Sequence, residues 1–220
     1  MILKNVGIML IDSSRGRAYI QNLIKNSLYP YFVLLLASNA KTIVPKINAD
    51  SKKYFGLHEP VVDTLRKSNV SYKKIISSDC NDKNVIAKLK NRKEKYFIYT
   101  GGGILKKEIL GLGKKFIHVH PGIVPYYKGS TCMYYSMINQ GKVGATAFFL
   151  EKNIDTGDVI AQKWYGKPDV DIDYIFDPWI RSDLLVLVLK GYAKTGKFIA
   201  RKQDKNKGET YYIIHPVLKH

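Results

Sequence analysis

Cysteine and acidic residues are the scarce components of this chain, and no apolar run is long enough to span a bilayer. Only Cys80 and Cys132 are present, too few for a disulfide framework and without metal-ligand spacing, which points to a reducing, cytoplasmic setting. The N-terminal stretch MILKNVGIMLIDSS has one short apolar run, broken at Asp12, and no cleavage-site pattern, so neither a membrane span nor a signal peptide is expected. Against 36 lysines and arginines stand 18 acidic residues, a formal net charge of +18. A nucleic-acid partner is one reading of that imbalance. The lysines, however, are scattered in pairs such as Lys52-Lys53 and Lys114-Lys115, and the densest block, 201–207, is interrupted by Gln203 and Asp204. The blander reading is a lysine-rich surface that also draws in phosphorylated or polyglutamylated small molecules. No repeat and no low-complexity linker divides the chain, so 220 residues are read as one domain, an α/β core over 1–196 and a tail over 197–220.

What is present is an alternation of strand and helix patterns. Strands are expected over 6–11, 31–37, 74–76, 95–100 and 115–119, with helices over 15–28, 60–67 and 82–90 between them. The segment YFVLLLA is a continuous apolar run of the kind buried on both faces of a parallel sheet. Beyond it lie a helix over 131–139, two strands over 143–150 and 159–165, and a long apolar helix over 171–193. The tail resembles a short polar hairpin. This order predicts a doubly wound, mostly parallel, Rossmann-like α/β sheet with helices on both faces.

Chemistry concentrates in HVHPGIVPYYKGS, residues 118–130, and in Asp155-Thr156-Gly157-Asp158. Residues i and i+2 of a strand face the same side, so His118 and His120 project together from a strand that Pro121 and Gly122 terminate. Paired imidazoles with a carboxylate can manage protons and an oxyanion near neutral pH. Taken alone, a histidine is more often structural, and turn aspartates usually cap their own backbone. The pattern HxH plus Asp also resembles part of a zinc or iron ligand set, but His58, His215 and His220 lack ligand spacing, and no metal is expected. Gly101, Gly102 and Gly103 follow a strand directly, where backbone amides can approach a ligand. They form neither a P-loop nor a dinucleotide fingerprint, and a plain strand-to-helix turn is the competing reading.

The stretch from His118 to Gln162 resembles the signature of the folate-dependent formyltransferase family, on His120-Pro121, Pro125, Lys128-Gly129, Asn139, Gly144-Ala145-Thr146 and Asp155-Thr156-Gly157. The resemblance implies a formyltransferase-like fold and transfer of a formyl group from 10-formyltetrahydrofolate to an amine. It implies His120 as the catalytic histidine, charged by its partner Asp155; His118, on the same side of the strand, is expected to assist. The folate is expected against Gly101, Gly102, Gly103, Ile104 and Leu105, with Asp158 as a further contact. Ser13, Arg15 and Arg17 near a helix start, with Lys128 and Gly129, are expected to hold an anionic acceptor.

This sequence departs from the family where His118 replaces an asparagine, Gly122 a serine and Lys128 an arginine. Family members acting on tRNA carry a further nucleic-acid-binding domain for which 220 residues leave no room. The acceptor is therefore expected to be small, an amino-sugar nucleotide destined for surface polysaccharide such as lipopolysaccharide, with nucleic acid the lesser expectation. A homo-oligomer is compatible with the sequence. The alternatives left open are an RNA-binding or catalytically altered homologue, and a deformylase or metal-dependent hydrolase.

Overall fold

The computed structural model describes residues 1–37, 51–101, 103–204 and 206–219. In chain order the elements are β1 (Ile2–Ile11), α1 (Ser14–Lys25), β2 (Tyr29–Ala37), α2 (Val61–Lys67), β3 (Lys73–Ile76), α3 (Lys83–Lys90) and β4 (Tyr96–Tyr99). They continue with α4 (Lys107–Leu110), β5 (Lys115–His120), β6 (Tyr127–Gly129), α5 (Cys132–Gln140), β7 (Val143–Phe149), β8 (Val159–Tyr165), α6 (Asp177–Thr195) and β9 (Glu209–Tyr211). A single π-helical turn, Ile172–Phe176, leads into α6, so the long apolar helix expected from the sequence begins with a change of winding.

Seven strands form one sheet in the order β3-β2-β1-β4-β5-β7-β8. The first five run parallel, β7 adds antiparallel to β5, and β8 adds antiparallel to β7. The sheet is thus mixed and mostly parallel, as expected. Period-two alternation distributes the strand side chains between two cores. Ile8 and Leu10 pack with Tyr19, Leu23, Leu65 and Leu184 from α1, α2 and α6 on one face. Met9, Phe97 and Phe116 pack with Val85, Leu89 and Ile109 from α3 and α4 on the other. Helices on both faces are what a run such as YFVLLLA requires, because neither face of β2 tolerates water. Ser13 caps α1 by accepting from the Gly16 amide, and Gly196 ends α6 in a left-handed conformation.

The strand order reverses between β1 and β4, and a crevice opens beyond the carboxyl ends of strands at such a point.

The tail is not a hairpin. Its residue Arg201 bridges antiparallel to Val159, and β9 pairs parallel with the three-residue strand β6. Tyr211 explains the choice: its ring stacks on Tyr127 at 5.6 Å and lies 4.4 Å from Tyr135. Gly129 opposite it permits the approach, since a Cβ there would lie 2.2 Å from the Tyr211 carbonyl oxygen. Cross-chain aromatic burial outweighs whatever local pairing the polar tail could offer itself.

Candidate active site

His118 and His120 leave β5 on the same side, that of Phe116, at the point where the core gives way to a cavity. His120 is 2% exposed. Its Nε2 donates to the Tyr127 carbonyl oxygen at 2.9 Å, and its Nδ1 lies 3.4 Å from Oδ2 of Asp155. Asp155 sits in the left-handed region at φ 52°, on the loop between β7 and β8, and accepts the Gly129 amide at 2.7 Å. Two contacts fix that loop. Gln203 from the tail donates to the carbonyls of Asp155 and Gly157, and a Cβ at Gly157 would lie 1.6 Å from the Phe149 carbonyl oxygen. Only glycine lets the loop lie that close to β7.

The turn after His120 is held by Thr146, which β7 places directly opposite His120. Its hydroxyl donates to the Gly122 carbonyl at 2.6 Å and accepts from the Val124 amide at 3.2 Å. The threonine noticed as a motif residue is therefore the clamp on the histidine turn.

The cavity beside the two histidines encloses about 800 Å³. Asp155, Gly129, Met133 and the exposed Ile104 and Ile154 border it, and the tail supplies a wall through Thr210, Tyr211, Tyr212 and Ile213. A second cavity of about 380 Å³ lies at the carboxyl ends of β1 and β4, lined by Ser13, Arg15, Gly101 and Gly103. Four residues border both cavities: Arg15, His118, Asp173 and Asp177.

Arg181 and Asp177 were not anticipated. Arg181 Nε donates to Asp177 Oδ1 at 2.6 Å, and its NH1 donates to the Val119 carbonyl, between the two histidines, at 2.9 Å. Arg15 stands 3.8 Å from the other oxygen of Asp177 and donates to the Thr100 carbonyl. A charged i,i+4 pair in the first turns of α6, ahead of its apolar stretch, was the available signal.

Other expected site residues are elsewhere. Arg17, 5% exposed, donates to both oxygens of Asp12 at 2.7 and 3.1 Å and to the Leu57 carbonyl, and it borders neither cavity. Lys128 is buried, its ammonium donating to the Lys207 carbonyl, so it secures the tail rather than facing a ligand. Leu105 packs in the core with Ile109 and Cys80, and Asp158 borders neither cavity, its carbonyl accepting the Phe149 amide. Gly102 lies outside the described residues. Among the described residues no cluster of three or more histidine, cysteine or acidic side chains could hold a metal ion, and no helix is long and apolar enough to cross a membrane.

The electrostatics correct one further expectation. Burial pushes His120 below the ordinary histidine pKa, and the pull of Asp155 in the opposite direction is the smaller effect. The direction of that shift favours the neutral ring over the imidazolium expected from the partner alone. His118 lies well below the ordinary value, through burial first and then through Arg181, Arg15 and His120.

Comparison with known proteins gives the chain's family. A family model described as formyl transferase matches residues 14–172. The chain is 28% identical over 173 residues to methionyl-tRNA formyltransferase of Finegoldia magna, covering 76% of this chain and 55% of that protein. It is 32% identical over 143 residues to the corresponding enzyme of Clostridium beijerinckii, covering 60% and 44%. The chain thus spans about half the length of the curated relatives it matches. Among solved structures, glycinamide ribonucleotide transformylase 1 of Symbiobacterium toebii superposes with a TM-score of 0.61 at 13% identity, covering 90% of this chain and 93% of that one. The N-formyltransferase of Helicobacter canadensis, in complex with folinic acid and dTDP-3-aminofucose, gives 0.60 at 16% identity, covering 96% and 71%. At those identities the likeness is one of fold. With the family model matched over most of its length, the chain belongs to the formyl transferase family.

Proposed function

We propose that the chain transfers a formyl group from 10-formyltetrahydrofolate to the amine of a small anionic acceptor, with residues 1–220 acting as one unit. The observation that carries the reading is the buried His120–Asp155 pair facing a cavity of about 800 Å³. Ile104, Ile154 and Met133 offer apolar surface to a folate ring system, and Gly101 and Gly103 border the adjoining cavity. The acceptor fits that second cavity, where Ser13 and Arg15 stand at the β1–α1 turn beyond the sheet's switch point. An amino-sugar nucleotide has the required amine and phosphates, and a solved relative is in complex with one.

In this reading the folate supplies the formyl group. His120 receives the proton that the amine loses as the new C–N bond forms. Because the neutral ring is favoured at rest, its positive charge, and the attraction of Asp155 for it, develop as the reaction proceeds. The imidazolium charge then stabilises the oxyanion across the site, its two N–H groups being held by the Tyr127 carbonyl and Asp155. A tRNA acceptor is the second reading, favoured by the methionyl-tRNA formyltransferase relatives and the +18 charge. Salt-sensitive tRNA binding without turnover of amino-sugar nucleotides would select it.

The test is a thermal-shift series with 5-formyltetrahydrofolate and amino-sugar nucleotides, followed by turnover assays. The folate analogue raises the melting temperature, and His120→Ala keeps that binding while losing about 10²–10⁴-fold in turnover. No folate binding at high concentration refutes the donor assignment.

A further inference from the structure

His118 stands where the two cavities meet, in the place where the family resemblance expects an amide. Its Nδ1 is 3.5 Å from the Tyr99 carbonyl oxygen, a group that can only accept, so Nδ1 carries the proton of the neutral ring. Among the described residues Nε2 has no hydrogen-bond partner. Phe148 meets the ring edge-on at 5.8 Å and Tyr99 lies at 6.2 Å, which leaves the cavities as its polar outlet. The charged and titratable groups around it are Arg15 on α1, Tyr99 on β4, His120 on β5, Asp173 on the π turn, and Asp177 and Arg181 on α6. An imidazole in that state accepts a proton. An asparagine amide does not.

The proposed reaction needs such a group. Unperturbed amines titrate well above pH 7, so the acceptor arrives mainly as an ammonium and must lose two protons, one before attack and one during it. The His120–Asp155 pair takes only one. We propose that His118 is a second proton acceptor of this site, its Nε2 taking the first proton from the acceptor's ammonium where the two cavities meet. The assignment rests on the formyl-transfer reading. The freed lone pair forms the bond to the formyl carbon while the carbonyl π electrons move to oxygen, and the second proton passes to His120. Collapse restores the carbonyl, breaks the bond to N10 of the folate, and returns that second proton to N10. His118 releases the first proton to solvent, so the products are the formamide, tetrahydrofolate and one proton. Arg15 and Arg181 disfavour both cations, the arriving ammonium and the His118 imidazolium, so the positive charge that His118 takes up is held only until the proton leaves to solvent, while Asp173 and Asp177 face the ammonium on arrival.

The test is long-range ¹H–¹⁵N spectroscopy of the full chain labelled in its histidine rings, with His118→Asn to assign the signal. The expected result at pH 7 is a protonated Nδ1 and a bare Nε2, whose resonance moves when 5-formyltetrahydrofolate is added. A protonated Nε2, in either the other tautomer or the imidazolium, overturns the proposal. So does an Nε2 resonance that stays fixed while a thermal shift shows the folate bound. If the wild-type chain shows no thermal shift, the formyl-transfer reading itself fails, and the assignment falls with it. In turnover with an amino-sugar nucleotide, His118→Asn lowers kcat about 100-fold with the folate KM unchanged, and the loss shrinks as pH rises toward the acceptor's own pKa. An unchanged kcat and pH profile would overturn the proposal as well.

Discussion

Replacing Thr146 by valine tests whether the histidine turn is held as the structure shows. The substitution keeps the shape of a fully buried side chain and removes only its hydroxyl. Two main-chain groups lose their partner at once: the Gly122 carbonyl, bonded at 2.6 Å, and the Val124 amide, bonded at 3.2 Å. A weaker contact from the Gln162 amide at 3.4 Å is lost with them. Leaving a buried donor or acceptor unmatched costs about 1–3 kcal/mol each, so the expected loss from the two is about 2–6 kcal/mol. For a chain of this size that lowers Tm by about 4–24 °C. Urea and thermal denaturation measure the loss, and 5-formyltetrahydrofolate affinity should fall as the turn carrying Pro121 loosens. Thr146→Ser retains the hydroxyl and should stay within about 1 kcal/mol of wild type. A valine variant within 0.5 kcal/mol of wild type, with unchanged folate binding, would refute the clamp (threshold about half the smallest single-group cost).

The two arginines of α1 separate by role. Arg15→Gln raises the acceptor KM with little change in stability, whereas Arg17→Met removes the partner of Asp12 and costs about 2–4 kcal/mol without altering KM. Equal effects on KM would contradict the different places assigned to them. Stability should also depend on pH through His118 and His120. Both bind protons less readily folded than unfolded, so their contribution is fully present above the unfolded value near 6.5 and is lost as pH falls below it toward the folded values. Denaturation midpoints between pH 5 and 7.5 should therefore fall on acidification, and the His118→Asn variant should show a shallower slope. Asp155→Asn deepens the depression of the His120 pKa and removes the charge that stabilises imidazolium, so turnover falls more than a hundredfold with folate binding kept.

Much of the architecture was legible because burial leaves a period in the sequence. The run YFVLLLA reads as a strand covered on both sides, and the helix patterns around it supply the covers, α1 and α2 on one face and α3 on the other. The short elements β6, α4 and β9 were not anticipated, because YKG, KEIL and ETY carry no apolar run of the kind that marks the equally short β4, YFIY. The packing of Tyr211 between Tyr127 and Tyr135 joins positions more than seventy residues apart. No local pattern encodes that. Local strand propensity instead suggested a hairpin.

The site divides the same way. Two histidines at i and i+2 on one strand share a side by backbone geometry alone, so the sequence by itself placed His118 and His120 together. On a helix the same spacing turns a side chain by about 200°, and Arg15 and Arg17 therefore part company, one to the cavities and the other to Asp12 and Leu57. Which of the two faced the ligand depended on how α1 lies against the sheet. Arg181 and Asp177 were readable as a helical pair, but their meeting with β5 and Arg15 is a product of packing. The charge state of His120 was likewise beyond the sequence. A neighbouring carboxylate argues for imidazolium, yet the cost of burying that charge is larger, and burial is a property of the folded chain alone.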